Sequence, residues 1–329
     1  MYKVVSLFCG CGGSDCGMIG GFEYNKKRYA KLPFKIIYAT DINKKAIETL
    51  KANFNTKRIV CGDICETSSS EIPDHNVLVG GFPCQSFSTV NPTKDPFDDR
   101  ANLYKQMVRI AKDKQPEICI AENVKGLMTL RNGKIFETIR NAFDEAGYHT
   151  YCQLVNAADY GIPQKRERVI MICIRKDMKK EFCFPKKIFE GKWVPLSTAI
   201  PQLDISERKY YFSEKAVQGM KNARNNMKRG LAQSLDSPCL TITSHLAKMS
   251  INSRDPVLLV DSDKELYRRF TPREAARIQS FPETFKFVGS DGDAYRQIGN
   301  AIPPVLFWHI AKAVADYLKN YEKYQSPKT

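Results

Sequence analysis

Long apolar runs are missing from this chain. No stretch of 18 apolar residues occurs among its 329, so no membrane span is predicted. The run Val4 to Cys9 is too short for a signal peptide and no cleavage site follows it, which places the chain in the cytoplasm as an expectation. Histidine is scarce, at four, and none of the eleven cysteines forms a Cys-x-x-Cys pair. Zinc needs clustered ligands, so no metal site is expected. An odd cysteine count without an export signal fits reduced thiols. Internal repeats are absent, and the one low-complexity patch is Thr67 to Ser70.

What is present is charge. The formal net charge is +15, and basic excess favours a polyanionic partner through counterion release. The length suits one large domain plus a smaller one.

The stretch Gly80-Gly81-Phe82-Pro83-Cys84-Gln85-Ser86-Phe87-Ser88 organises the rest. It follows a buried-strand pattern, Asn76 to Val79, and its glycines let backbone approach a ligand closely. Pro83 stiffens the turn before Cys84. A lone cysteine is usually a small core residue; one placed after a strand, at the start of a polar loop, is placed for attack.

At the N-terminus a strand, Lys3 to Phe8, runs into Gly10, Gly12 and Gly13 and then a helix from Ser14 or Asp15. This is the nucleotide-binding opening of a doubly wound α/β sheet. A dinucleotide fingerprint needs a small residue where Asp15 stands, and an acid there repels a pyrophosphate. The loop therefore suits a ligand without phosphate, such as S-adenosylmethionine. A second strand, Phe34 to Thr40, ends at Asp41, whose carboxylate can accept both ribose hydroxyls, with Ile42 beside it to cover adenine. Asn43 caps the helix to Phe54. A third strand, Arg58 to Cys61, leads to Asp63, placed for the adenine amino group.

The polar stretch Asn91 to Arg100 reads as a lid. Leu103 to Ala111 reads as a helix, and the strand Glu117 to Ala121 delivers Glu122 at the sheet edge where ligands bind. Gly133 to Ala146 reads as a helix and Tyr151 to Asn156 as a strand. Gln164 to Arg168 enters an apolar strand, Val169 to Ile174, and alternation puts Arg166 and Arg168 on one face, aimed at one anion or base edge. From Lys176 to about 265 periodicity fades; a basic run, Arg208 to Arg229, interleaves with Tyr210, Tyr211 and Phe212, with Trp193 nearby. Order returns at the capping box Thr271-Pro272-Arg273-Glu274, whose helix runs to about Ser280. Tyr295 to Ile302 then leads into a helix from Pro304 to Tyr321 with one apolar stripe.

Six blocks stand in order: Phe8-x-Gly-x-Gly-Gly, Gly81-Phe-Pro-Cys-Gln-Ser, Ala121-Glu-Asn-Val, Gln164-Lys-Arg-Glu-Arg, Arg269 to Phe285, and Gln297-Ile-Gly-Asn-Ala. Over nearly the whole chain this resembles the cytosine-5 DNA methyltransferase family of bacterial restriction-modification type. The resemblance implies a Rossmann-like catalytic domain at residues 1–183, a smaller irregular β-containing target-recognition domain and hinge at 184–292, and a segment at 293–329 that packs back. It implies an S-adenosyl-L-methionine pocket lined by Phe8, Gly10, Cys11, Gly12, Gly13, Asp41, Ile42, Asp63, Ile64, Phe82, Leu103, Asn300 and Ala301. It makes Cys84 the nucleophile at carbon 6 of a flipped cytosine. Glu122 then binds ring nitrogen 3 and the exocyclic amine, Arg168 the carbonyl oxygen, and Arg166 a phosphate or the Cys84 loop. Gln85, Ser86, Ser88 and Arg100 are implied to contact DNA.

Two departures stand out. A basic insertion, Asn25 to Leu32, lengthens the spacing from Gly13 to Asp41, and Arg100-Ala101-Asn102 replaces the family's Arg-Gly before Leu103. The partner expected is double-stranded DNA, with a monomeric enzyme and no membrane; a cognate restriction endonuclease would act on the same site without binding the chain. The competing readings are a tRNA cytosine-5 methyltransferase, a non-catalytic DNA-binding relative, and a nicotinamide dehydrogenase, which the Asp15 substitution and the lack of a hydride-site histidine disfavour.

Overall fold

A computed structural model describes residues 1–83, 103–178, 181–201, 206–223, 232–246 and 256–325. Cys84, Gln85, Ser86, Ser88, Arg100 and the Asn91 to Arg100 stretch lie outside the described residues, as does part of the Arg208 to Arg229 run.

The chain opens with β1 (Tyr2–Leu7), α1 (Gly13–Ile19), a hairpin of β2 (Phe22–Tyr24) and β3 (Lys27–Tyr29), then β4 (Phe34–Asp41), α2 (Lys44–Asn53) and β5 (Arg58–Cys61). It continues with β6 (Val77–Gly80), α3 (Tyr104–Lys114), β7 (Ile118–Val124), α4 (Lys134–Glu145), β8 (Tyr148–Asn156), β9 (Gln164–Lys165) and β10 (Glu167–Arg175). The remainder holds α5 (Glu214–Ala223), β11 (Cys239–Leu240), β12 (Leu258–Asp261), β13 (Leu266–Arg268), α6 (Pro272–Ile278), α7 (Asp291–Asn300) and α8 (Pro304–Gln325). No helix among the described residues is long and apolar enough to cross a membrane.

Seven strands form one sheet in the order β5-β4-β1-β6-β7-β10-β8. The first five are parallel, and β10 runs antiparallel to both β7 and β8. The strands are apolar on both sides because both faces are covered. Val4, Ile36, Ile120 and Ile170 share a core with Ile47 of α2 and with Val305 and Ile310 of α8. On the other face Val5, Leu78, Cys119 and Val169 pack with Met107 and Ile110 of α3 and with Ile139 and Phe143 of α4. This is the doubly wound architecture expected.

The order of strands reverses direction between β1 and β6, which leaves a crevice at their carboxyl ends. The Phe8 to Gly13 loop and the Gly80 to Pro83 turn flank it. Because β10 is antiparallel, its first residues lie at the same edge: Arg168 pairs with Val124, and Ile170 with Glu122.

Several expectations need correction. The basic insertion is a tight hairpin, with Asn25 and Lys26 both in left-handed conformation at φ 46° and 58°. Its apolar side, Phe22, Tyr24 and Tyr29, is buried in the main core; Tyr29 stacks on Phe22 and meets Trp308 edge-on. α5 forms within the stretch read as irregular. α7 begins earlier than the order expected from Tyr295, because Ser290 caps it with Asp293 in the reciprocal position. Residues on both sides of position 184 share one hydrophobic core. Tyr210, Ile242, Phe270, Ile278, Phe281 and Phe285 all join the core that holds Val4, and Tyr24 donates from its hydroxyl to the Arg277 carbonyl (2.8 Å). A separate cluster is small: Val217, Met220 and Val257, with Phe212 and Tyr267 against them.

Candidate active site

A cleft of about 830 Å³ opens at the crevice between β1 and β6. At one end the glycine loop forms its floor. Gly12 has φ 93°, and a Cβ there would stand 2.5 Å from Leu50 Cδ1 and 2.6 Å from Phe54 Cε2, so only glycine fits against α2. Gly12 therefore shapes the turn without lining the cleft, whereas Phe8, Gly10, Cys11 and Gly13 do line it. Asp41, at the tip of β4, accepts from the Gly10 amide through Oδ2 and from the Asn43 amide through Oδ1, each at 2.8 Å. Burial raises its carboxyl above the ordinary range, against the pull of those amides. Asn43 caps α2 by accepting from the Ala46 amide (3.0 Å), as expected. Ile42 is 70 % exposed and lines the cleft. Asp63, Ile64, Phe82, Leu103, Asn300 and Ala301 complete this end.

At the other end stand Glu122 and Arg168. They project from the sheet face that carries Ile120 and Ile170, as diagonal neighbours on β7 and β10. Arg168 Nε lies 2.9 Å from Glu122 Oε1, and both side chains are 12 % exposed. Burial lowers the Arg168 pKa, and Glu122 opposes that. Arg168 also donates through Nη1 to the Glu167 carbonyl (2.7 Å). A Cβ on Gly81 would lie 3.2 Å from Glu122 Oε2, which puts the turn leading to Cys84 directly against this carboxylate. The next residue, Asn123, is buried and donates through Nδ2 to the Phe82 carbonyl (3.0 Å) while accepting from the Val124 amide (2.8 Å). It ties the strand that carries Glu122 to that turn, a link the sequence reading missed although the Glu-Asn-Val block contained it.

Arg166 behaves differently from the expectation. β9 and β10 break between Lys165 and Glu167, so strand alternation does not apply at Arg166. Arg166 is 2 % exposed. Nη1 donates to the Ile242 carbonyl (3.0 Å), and Nη2 donates to the carbonyls of Gly299 (3.0 Å) and Ala301 (2.9 Å). Arg166 thus lines the cleft with its Nη atoms held by backbone carbonyls, and the Cys84 loop, its other expected partner, lies outside the described residues.

The arrangement is a hollow continuous with a partly buried ion pair, at the carboxyl edge of a doubly wound sheet. The model of the family C-5 cytosine-specific DNA methylase matches residues 2–316, and the chain belongs to that family. It is 33% identical to the type II methyltransferase M.FnuDI of Fusobacterium nucleatum, across 98% of this chain and 96% of that protein. It is 32% identical to M.NgoPII of Neisseria gonorrhoeae, across 96% of each. Among solved structures, the Dnmt2 methyltransferase of S. pombe superposes with a TM-score of 0.74 over 97% of this chain and 99% of that one; at 20% identity this likeness speaks for the fold. The chain is thus a C-5 cytosine methyltransferase by family, as the six sequence blocks implied.

Proposed function

We propose that this enzyme methylates carbon 5 of a cytosine flipped out of a specific duplex DNA site, with S-adenosyl-L-methionine as donor, and protects DNA in a restriction-modification system. The observation that carries the reading is the single cleft in which the glycine loop and Asp41 meet Glu122 and Arg168, with Pro83, the residue before Cys84, in its wall. Type II relatives that match nearly end to end support the protective role, and the basic excess supports a nucleic-acid partner.

The donor set fits the cofactor. Asp41 would take the ribose hydroxyls, Ile42 the adenine face and Asp63 the adenine amine, with the glycine loop, Asn300 and Ala301 around the remainder. No phosphate-binding feature is needed, and buried Asp15 beneath the loop would oppose one. When bound, S-adenosylmethionine supplies an electrophilic methyl group to carbon 5.

Carbon 5 of cytosine is a poor nucleophile. In this reading the Cys84 thiolate adds to carbon 6 and makes carbon 5 enamine-like. Glu122 holds nitrogen 3 and the exocyclic amine, and Arg168, oriented by Glu122, holds the carbonyl oxygen where charge develops. After transfer the carbon-5 proton leaves and Cys84 is eliminated. A duplex must first extrude the base, at about a few kcal/mol. Residues 184–292, outside the seven-stranded sheet, would read the site and form the hinge, and the enzyme would act as a monomer in the cytoplasm beside a cognate endonuclease.

Incubation of the wild-type chain with duplex DNA and labelled S-adenosylmethionine, followed by bisulfite sequencing, tests this. Modified cytosines confined to one short sequence are expected. Label transferred to tRNA but not to duplex DNA would refute the substrate.

A further inference from the structure

Five buried residues close a hydrogen-bonded ring, and two of them, Arg166 and Ala301, line the cleft. The Ile242 amide donates to Gln164 Oε1 (2.9 Å), and the Ile242 carbonyl accepts from Arg166 Nη1 (3.0 Å). Arg166 Nη2 donates to the Ala301 carbonyl (2.9 Å), which also accepts from Gln279 Nε2 (3.2 Å). Gln279 Oε1 accepts from Gln164 Nε2 (2.7 Å), and the circuit is complete. Gln164, Ile242 and Gln279 have no exposed surface. The ring joins β9, the turn after α6, the carboxyl end of α7, and the segment after β11.

That segment is pressed onto α7. A Cβ on Gly299 would lie 2.2 Å from the Ser244 nitrogen and 2.2 Å from the Thr243 carbonyl carbon, so residues 243–244 run flush against the helix end. Arg166 grips Gly299 and Ala301 on either side of Asn300, which lines the cleft. Residues 239–246 do not line it. A buried network of this kind has few ways to yield at one member alone. A shift at residues 299–301 must move Arg166, and with it Ile242.

We infer that Arg166 is a positioning residue: through this ring it couples occupation of the cofactor end of the cleft to the placement of residues 239–246 for the DNA. The inference rests on the functional reading above. It adds to their meeting in the cleft a second route by which cofactor and DNA binding reinforce one another.

The test is hydrogen exchange on the wild-type chain with S-adenosylhomocysteine as probe and no DNA. Protection of the peptide containing the Ile242 amide is expected to rise about tenfold on binding, an effect within the usual range of coupling. Unchanged protection with the probe bound would overturn the inference. Failure of the probe to bind at all would instead sink the cofactor assignment. A second arm measures probe affinity with and without the duplex that bisulfite sequencing identifies. Wild type should show coupling of about fivefold or more. Gln164→Leu and Gln279→Leu each open the ring at a buried residue that does not line the cleft; both should hold the probe alone as wild type does, yet lose most of the coupling. Coupling retained in a folded variant of either kind would contradict the role. A variant that fails to fold leaves the exchange result to decide.

Discussion

Two arginine–glutamate pairs in this molecule are built to opposite ends. Arg268 and Glu274 are 1 % and 5 % exposed and meet in a fork, with both nitrogen–oxygen distances 2.7 Å. Glu274 is further saturated by the Thr271 amide (2.7 Å) in the capping box that starts α6. Arg168 and Glu122 share one close contact and remain 12 % exposed, on the wall of a cleft. A buried carboxylate that accepts three hydrogen bonds holds a fold together. One left partly open toward a cavity has capacity for a substrate. In the proposed mechanism the same two residue types thus serve structure at one place and chemistry at the other, according to how far their neighbours satisfy them.

Glu122→Gln should break the reactive pair most visibly. Methyl transfer is expected to fall by about 10²–10⁴-fold while S-adenosylhomocysteine affinity, measured by calorimetry, holds within about twofold. A parallel loss of affinity would show that Glu122 serves the cofactor instead. Glu274→Gln should do the reverse. Leaving Arg268 buried without its partner costs about 3–5 kcal/mol, read from urea unfolding, with the activity per folded molecule preserved. A cost below about 1 kcal/mol, the range of exposed pairs, would erase the contrast.

Asp41→Ala sharpens the boundary between the two ends of the cleft. Loss of a charged hydrogen-bond acceptor should weaken the cofactor about tenfold or more, with turnover at saturating cofactor maintained. A turnover defect at saturation would merge the two ends. Asp15 gives a smaller, pH-dependent signal. Burial pushes its carboxyl from the ordinary 3.8 up to about 6. Between those values the native state binds more protons than the unfolded one, so stability falls as pH rises through that window and the whole penalty applies above it. Asp15→Asn should therefore stabilise the protein by about 2–3 kcal/mol at pH 8 and by little below pH 4. A pH-independent change in thermal melting would contradict this.

The parts of the site legible in the sequence were those built by local signals. Gly10, Gly12 and Gly13 announce a turn, Asp41 ends an apolar run just before a capped helix, and Thr271 and Glu274 show their box within four positions. Arg166 was misread because alternation assumes an unbroken strand, and the chain kinks there: the Arg166 amide bonds to the Gln164 carbonyl (3.1 Å) and its own carbonyl accepts from the Ala157 amide (2.9 Å). The hairpin turn was hidden because Asn25-Lys26 adopts positive φ without a glycine. α7 was hidden in part because its box closes with Asp293 rather than with Glu or Gln. The ring through Gln164, Arg166, Ile242, Gln279 and Ala301 joins distant stretches of chain, and no local pattern encodes it.

The central claim is a covalent bond between Cys84 and cytosine beside Glu122. The most direct measurement is a denaturing gel of the enzyme after reaction with S-adenosylmethionine and a duplex carrying 5-fluorocytosine at the methylated position, where the carbon-5 proton needed for release is absent. The wild-type chain should stay bound to the DNA through the gel, and Cys84→Ser should neither be trapped nor methylate an ordinary duplex. Methyl transfer that survives in Cys84→Ser would contradict the account.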